Sequence, residues 1–501
     1  MSPFKKFLGQ TAIYGVSTVF SRLFNFILTP IYTSVYGPAT YGVFTKLFSY
    51  ASLINAVLAF GMESTFFRYL TKHEDKKQEV YNNSFLCILV LGILFLISGF
   101  VLSDQIALRT YSGEVGDLQN SLADYQRYVQ LLIGVLFVDA ICVIPFAKLR
   151  AEERPLKYSL VKFLNIGTFV GFNLFFIFVI PFFIKNEWPL SAWFSTWYRF
   201  QWVGYVFISN LIASMVTLLL LLPEFMKLQL KFDKVLFGKM FSYSWPVLVA
   251  NLSFIVNENL DKIVLSELLP PGIADIDVGI YGAVCKIAMF MSIFITAFRL
   301  GAEPFFFSYA KNVNAKQTYA VILHYFVIAL AVLFVALVAN IELLKYFISR
   351  KEYWVGLPAV PYLLFGYLCL GIYMNLSIWY RLSDQTRYGL YISLVGAAIT
   401  IVFNFLLIPK FSYMGSAWVS MLAYAVMMVI SYVLGQKYYP IPYQLGRILL
   451  YLGISMGLVL LSFWVFDRNI YIGNLLLLGF LGFIFYREKD DVKAMLGKGL
   501  K

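Results

Sequence analysis

Fourteen apolar runs of the length that a membrane-crossing helix needs follow one another along this 501-residue chain, separated by short polar breaks. They fall near 9–32, 41–67, 81–103, 123–147, 158–184, 201–223, 243–266, 280–307, 318–348, 358–380, 388–408, 414–434, 447–465 and 471–486. At about 20 residues each, such spans use roughly 280 residues. The chain is 60% hydrophobic and only 13% charged, so it can supply them with little left over for a soluble domain. The expected fold class is all-α, a polytopic membrane protein of about 14 transmembrane helices.

The formal net charge of +13 could suggest a nucleic-acid partner, but topology explains it first. With the N-terminus inside, cytoplasmic segments hold about 25 of the 40 Lys and Arg, outer loops about eight and spans about seven. Lys76, Lys77, Arg154 and Lys227 are among the inner set. This bias places both termini in the cytoplasm and removes the need for nucleic acid. Lys5 and Lys6 precede an apolar stretch that contains Arg22 and lacks a small-residue cleavage site, so it reads as the first span. Trp188, Trp193, Trp197 and Trp202 read as an interfacial belt.

Enzyme chemistry finds little footing. The four cysteines, Cys87, Cys142, Cys285 and Cys369, lie in apolar runs without metal or redox spacing. His73 and His324 are far apart, and no metal site or cofactor is expected. Asp275-Ile276-Asp277 resembles a metal-binding DxD but sits beside Pro270, Pro271 and Gly272, which predicts a solvated turn in an outer loop. Nucleotide-binding and hydrolase motifs are missing from the sequence. A membrane-embedded glycosyltransferase or polymerase is the weakest alternative.

The chain repeats itself. Residues 41–69 align without a gap to 281–309, with nine identities in 29 positions. Lys46 matches Lys286, Gly61 matches Gly301, and Glu63 matches Glu303. The same shift pairs Arg22 with Lys262, and a fainter echo links Arg150 to Arg381 and Asn173 to Asn404. A shift of six helices preserves direction through the bilayer, giving a parallel repeat with an axis along the membrane normal. The expected division is 1–223 and 224–434 as six-helix lobes, with 435–501 holding two extra helices and a basic tail. A cavity between such lobes suits a transporter working by alternating access.

The run RLFNFILTPIYTSVYGPATYGVFTKLFSYASLINAVLAFGMESTFFRY over 22–69 resembles the polysaccharide-exporter branch of the multidrug/oligosaccharidyl-lipid/polysaccharide (MOP) superfamily. Within it, the likeness is to O-antigen-type flippases. That resemblance implies translocation of an undecaprenyl-pyrophosphate-linked oligosaccharide, an O-antigen, capsule or exopolysaccharide precursor, across a bacterial inner membrane. It implies membrane lipids and polysaccharide-assembly proteins as partners, a lipid-tail groove at the two extra helices, and Arg22 and Lys46 as basic cavity residues. Alternatives of the same fold are a multidrug cation antiporter and a peptidoglycan lipid-precursor flippase.

The charges inside spans need a reason of their own. A charge at the bilayer centre costs at least about 2.5–3.5 kcal/mol on insertion scales, so it faces a cavity or a partner. Arg22, Lys46, Lys262, Lys286 and Arg299 are the candidates for binding a pyrophosphate through charge-assisted hydrogen bonds. Structural ion pairing is the competing reading; Asp261 and Glu258 give Lys262 a mixed-charge neighbourhood and are themselves candidates for gating or coupling. Glu63 and Glu303 are candidates for an inner gate reaching across the lobes, or for local pairing. Asp139, alone in an apolar run, is a candidate for coupling to a proton or sodium ion. Lys162 and Lys345, near span ends, are expected to snorkel. Pro30, Pro145, Pro246 and Pro304 are expected to kink spans, and Gly167-x-x-x-Gly171 and Gly453-x-x-x-Gly457 to permit close helix contact.

Overall fold

Inside lipid a backbone must satisfy its own hydrogen bonds, which confines apolar chain of this length to helices or closed barrels. A computed structural model describes residues 26–111, 120–229, 231–310, 312–383 and 385–498, and the regular structure among them is helical. Arg22 lies outside the described residues. Eleven helices there are long and apolar enough to cross a membrane.

In chain order the principal helices are α1 (Phe26–Val35), α2 (Pro38–Ala59), α3 (Met62–Lys72), α4 (Lys77–Val101), α5 (Leu122–Ala151) and α6 (Pro155–Leu174). Then come α7 (Gly204–Phe225), α8 (Lys234–Leu268), α9 (Ala274–Tyr309), α10 (Ala315–Ala339) and α11 (Val360–Leu376). The series closes with α12 (Arg387–Tyr438), α13 (Leu445–Leu460) and α14 (Ile470–Lys498). At 52 residues α12 is two helices in one run, turned at Ser412 with φ 48° and ψ −135°. Each of the fourteen expected spans therefore has a helical counterpart, the first only in part.

Helix starts follow local chemistry. Ser121 and Asp124 form a capping box at α5, with Ser121 Oγ accepting the Asp124 amide and the Asp124 carboxylate accepting the Ser121 amide at 3.1 Å. That carboxylate also takes Arg199 at 2.5 Å and the Trp202 indole at 3.1 Å, which ties the loop before α7 to α5. Asp233 caps α8 through the Leu236 amide at 2.9 Å.

Contacts divide the chain into two units. The first holds residues up to Ala283 together with Ser393–Val419. In it α5 packs on α4 and α7, α6 on α7, and α8 along α2. The second holds Val284–Ile392 and Ser420–Lys501, with α10 packed on α11, α13 and α14. Large apolar side chains stay exposed along the outward faces, such as Leu94 and Ile97 on α4 and Leu475, Leu478 and Phe485 on α14. Apolar surface on this scale needs lipid, not water, as its solvent.

Pro145 and Pro246 lie inside continuous helices. The break between α2 and α3 falls instead at Phe60 (φ 47°) and Gly61 (φ 63°). A Cβ on Gly61 would lie 2.7 Å from the Ser244 carbonyl oxygen of α8, so close packing adds to the conformational demand for glycine. The repeat-related Gly301 sits within unbroken α9 and faces open space. The two copies of the repeat have diverged in backbone at this point.

Candidate functional site

The most buried of the proposed pyrophosphate ligands is already engaged. Lys46, on α2, has its ammonium 2.7 Å from the Asp275 carboxylate, with side chains 2% and 7% exposed. It also donates to the Thr110 carbonyl at 2.7 Å, while the Tyr125 hydroxyl donates to the other Asp275 oxygen at 2.9 Å. Burial of both charges is tolerable because every partner is a hydrogen-bonding group. This overturns the solvated turn expected at Asp275-Ile276-Asp277. Asp275 and Asp277 lie in the first turn of α9, where a helix favours negative charge, and Asp277 accepts a hydrogen bond from the Ser412 hydroxyl.

Glycines bring α2 to α9. A Cβ on Gly42 would lie 1.8 Å from the Asp275 carbonyl oxygen, and one on Gly279 would lie 1.9 Å from that of Pro38. Gly282, the repeat partner of Gly42, meets Thr45 at 2.7 Å. The expected GxxxG contacts are different: Gly167, Gly171, Gly453 and Gly457 face open space. A short motif names small residues but not the neighbour they face.

Lys262, the repeat partner of Arg22, shows a related arrangement. Lys262 is 3.0 Å from the neighbouring Asp261 carboxylate and donates to the Glu258 carbonyl at 3.0 Å. The Tyr281 hydroxyl completes Asp261 at 2.7 Å. Lys286 and Arg299 lie half-buried farther along α9. Arg299 borders a small pocket in the second unit with Glu303 and Arg381.

Both glutamates of the repeat are held inside their own units. Glu63 pairs with Arg150 on α5, and Glu303 pairs with Arg381. The weak echo between Arg150 and Arg381 thus marks two matching ion pairs, the local pairing that was one of the two readings of these glutamates. Basic residues expected on the inner side are also paired: Glu224, fully buried at the end of α7, gathers Arg154, Lys157 and Lys227, each at 2.9 Å.

Asp139 is not isolated. It accepts the Ser214 hydroxyl at 2.7 Å and lies on a cavity of about 290 Å³ enclosed by α2, α3, α5, α6 and α7. Lys162 reaches the same cavity with its ammonium 4.3 Å from the centre of the Phe146 ring, instead of snorkelling to a span end. Its inward turn depends on which face of α6 is covered, which a hydropathy profile does not contain. Lys345 pairs with Glu342.

A polar group that the sequence reading passed over joins α8 to the first part of α12. Thr400 donates to the Asn257 side chain at 2.9 Å, and the fully buried Asn404 leaves both amide atoms without a hydrogen bond among the described residues. Asn173, its faint repeat partner, is instead buried with the Tyr32 hydroxyl at 2.8 Å. Amides recurring one per half at corresponding depth were the available signal.

The fold is that of MOP superfamily transporters. The lipid II flippase MurJ in an inward closed conformation is similar at a TM-score of 0.69, with 13% identity over 95% of this chain and 99% of that one. A multidrug resistance MATE family transporter, inward-facing, is similar at a TM-score of 0.63, with 15% identity over 86% of this chain and 96% of that one. The chain belongs to the family described as polysaccharide biosynthesis protein, whose pattern matches residues 7–147 and 189–309, more than half its length. An uncharacterized membrane protein of Methanocaldococcus jannaschii is 22% identical over 447 residues, which is 84% of this chain and 83% of that protein.

Proposed function

We propose that the chain is a flippase that carries an undecaprenyl-pyrophosphate-linked oligosaccharide, an O-antigen, capsule or exopolysaccharide precursor, from the inner to the outer leaflet of a bacterial inner membrane. The observation that carries this reading is membership of the polysaccharide biosynthesis family on a transporter fold that a lipid II flippase shares. Alternating access would move the headgroup, and both termini would stay cytoplasmic.

Ion pairs count against two of the proposed ligands. Lys46 and Lys262 spend their charge on Asp275 and Asp261, so their role is to hold helix geometry. Arg22, and Lys286 and Arg299 on α9, are proposed to bind the pyrophosphate as basic side chains within spans. Guanidinium and ammonium groups suit it because a compact polyanion forms strong, charge-assisted hydrogen bonds. The Glu63–Arg150 and Glu303–Arg381 pairs are exposed enough to open and re-form during the cycle, and Asp139 is the acid placed to take up a coupling proton.

Flipping of a fluorescent undecaprenyl-pyrophosphate oligosaccharide in proteoliposomes tests the reading. The wild type is expected to flip it, and a folded Lys286→Ala/Arg299→Ala variant to lose most of that rate, tenfold or more by about 1.4 kcal/mol of lost binding per decade. Retained flipping in the variant removes the two bases from the mechanism. No flipping by folded wild type under an imposed ion gradient would transfer the reading to a cation antiporter.

A further inference from the structure

The cavity in the first unit has a lining that selects against charge of either sign. Asp139 and Glu63 bring two carboxylates, and Arg150 and Lys162 bring two bases. A pyrophosphate entering there would meet the acids, and a metal ion or organic cation would meet the bases. What remains favourable is a neutral ligand rich in hydrogen-bonding groups.

The uncharged part of the lining points the same way. Asn55 on α2, exposed, and Asn210 on α7, half-buried, border the cavity, and neither side-chain amide has a hydrogen-bond partner among the described residues. Each amide offers a carbonyl acceptor and two N–H donors. Asn165 spends its NH₂ on the Ala213 carbonyl and Thr217 hydroxyl, at 3.0 and 2.9 Å, which turns its carbonyl toward use as an acceptor. Phe146 and Tyr158, with ring centres 5.4 Å apart, supply an apolar wall. Mixed donors and acceptors beside an aromatic wall match a pyranose, whose hydroxyls both donate and accept and whose C–H faces are apolar.

Size narrows the ligand further. One water needs about 10–15 Å³ of such space, and small-molecule sites begin near 300 Å³. At about 290 Å³ the cavity has room for at least one sugar ring. Resting on the flippase reading above, we infer that this cavity is a glycan subsite, holding one neutral sugar of the lipid-linked substrate through Asn55 and Asn210. It is separate in chemistry from the cations assigned to the pyrophosphate. A subsite of this kind would let the protein read the sugar as well as the carrier lipid.

Binding to the full-length protein in nanodiscs tests this, using citronellyl pyrophosphate alone and the same lipid carrying N-acetylglucosamine or galactose. In the wild type at least one sugar is expected to tighten binding about tenfold over the bare pyrophosphate, and Asn55→Leu/Asn210→Leu to erase that gain. The bare probe should bind the variant within twofold of wild type. Leucine shares the branched shape of asparagine, and neither side-chain amide is bonded to the protein, so the fold should survive. Should the leucine pair not fold, Asn55→Ala/Asn210→Ala serves as well. A sugar gain that survives the substitutions, or no gain with either sugar, overturns the subsite and leaves the flippase standing. Failure of all three probes to bind folded wild type removes the flippase reading and the subsite with it.

Discussion

Lys46 and Asp275 bury opposite charges together, and at residue scale the cost of separating them is large. Removing one partner of a buried pair leaves the other charge stranded, a penalty of about 3–5 kcal/mol, whereas replacing both with apolar residues is often neutral. Lys46→Met is therefore expected to lower thermal stability strongly, and Lys46→Met/Asp275→Leu to recover most of it in unfolding of the detergent-purified protein. A single variant that melts with the wild type would deny the pair its structural role. Glu63 and Arg150 differ, with side chains 44% and 31% exposed, as do Glu303 and Arg381 at 38% and 34%. Ion pairs this open are worth about 0–1 kcal/mol. Glu63→Gln and Glu303→Gln should therefore leave the melting temperature near wild type while changing the flipping rate. Loss of stability with unchanged transport would make them struts.

At the scale of elements, the crossing of α2 on α9 depends on the absence of side chains. Gly42→Ala places a Cβ 1.8 Å from the Asp275 carbonyl oxygen, a backbone atom that cannot rotate away. The helices would have to separate, and that would also stretch the Lys46–Asp275 bridge beside them. Overpacking of this sort costs typically about 1–3 kcal/mol, with more expected where backbone meets backbone. Gly167→Ala, in a helix face open to its surroundings, should instead be neutral or gain about 0.5–1 kcal/mol of helix propensity. Parallel melting curves of the two variants decide the matter, and equal effects would refute the crossing. Both glycines look alike in sequence. The Tyr-Gly pair repeated at 41–42 and 281–282 was the better pointer, because it recurs where a GxxxG spacing merely occurs.

For the whole molecule, the test is transport of the substrate. The loss of flipping expected in Lys286→Ala/Arg299→Ala belongs at this level, since it reports on transport and not on one helix. Its counterpart is Lys46→Met/Asp275→Leu, which keeps the scaffold neutral and packed, and should therefore transport. If that double variant were inactive while folded, Lys46 would return to the list of substrate ligands. The C-terminal pair of helices is anchored inside the second unit by Glu488 of α14, which meets His324 of α10 at 3.1 Å and the Tyr451 hydroxyl of α13. His324 suggested no site in the sequence because its partner lies 164 residues away.

The class of the protein and its span positions were legible without coordinates, because transfer of a 20-residue segment into lipid is a local sum over its own residues. Matching residues at one constant shift were legible too, the pattern that duplication leaves. Partners were not. Lys46 and Asp275 are 229 residues apart, and hydropathy records that each is costly to bury without recording who offsets the cost. The same holds for Asp139 and Lys162, which looked like a lone acid and a snorkelling base until α5 and α6 placed them on one cavity. Tertiary structure decided the pairings because burial energy can be read along the chain, while Coulomb attraction and steric fit act through space between helices far apart in sequence.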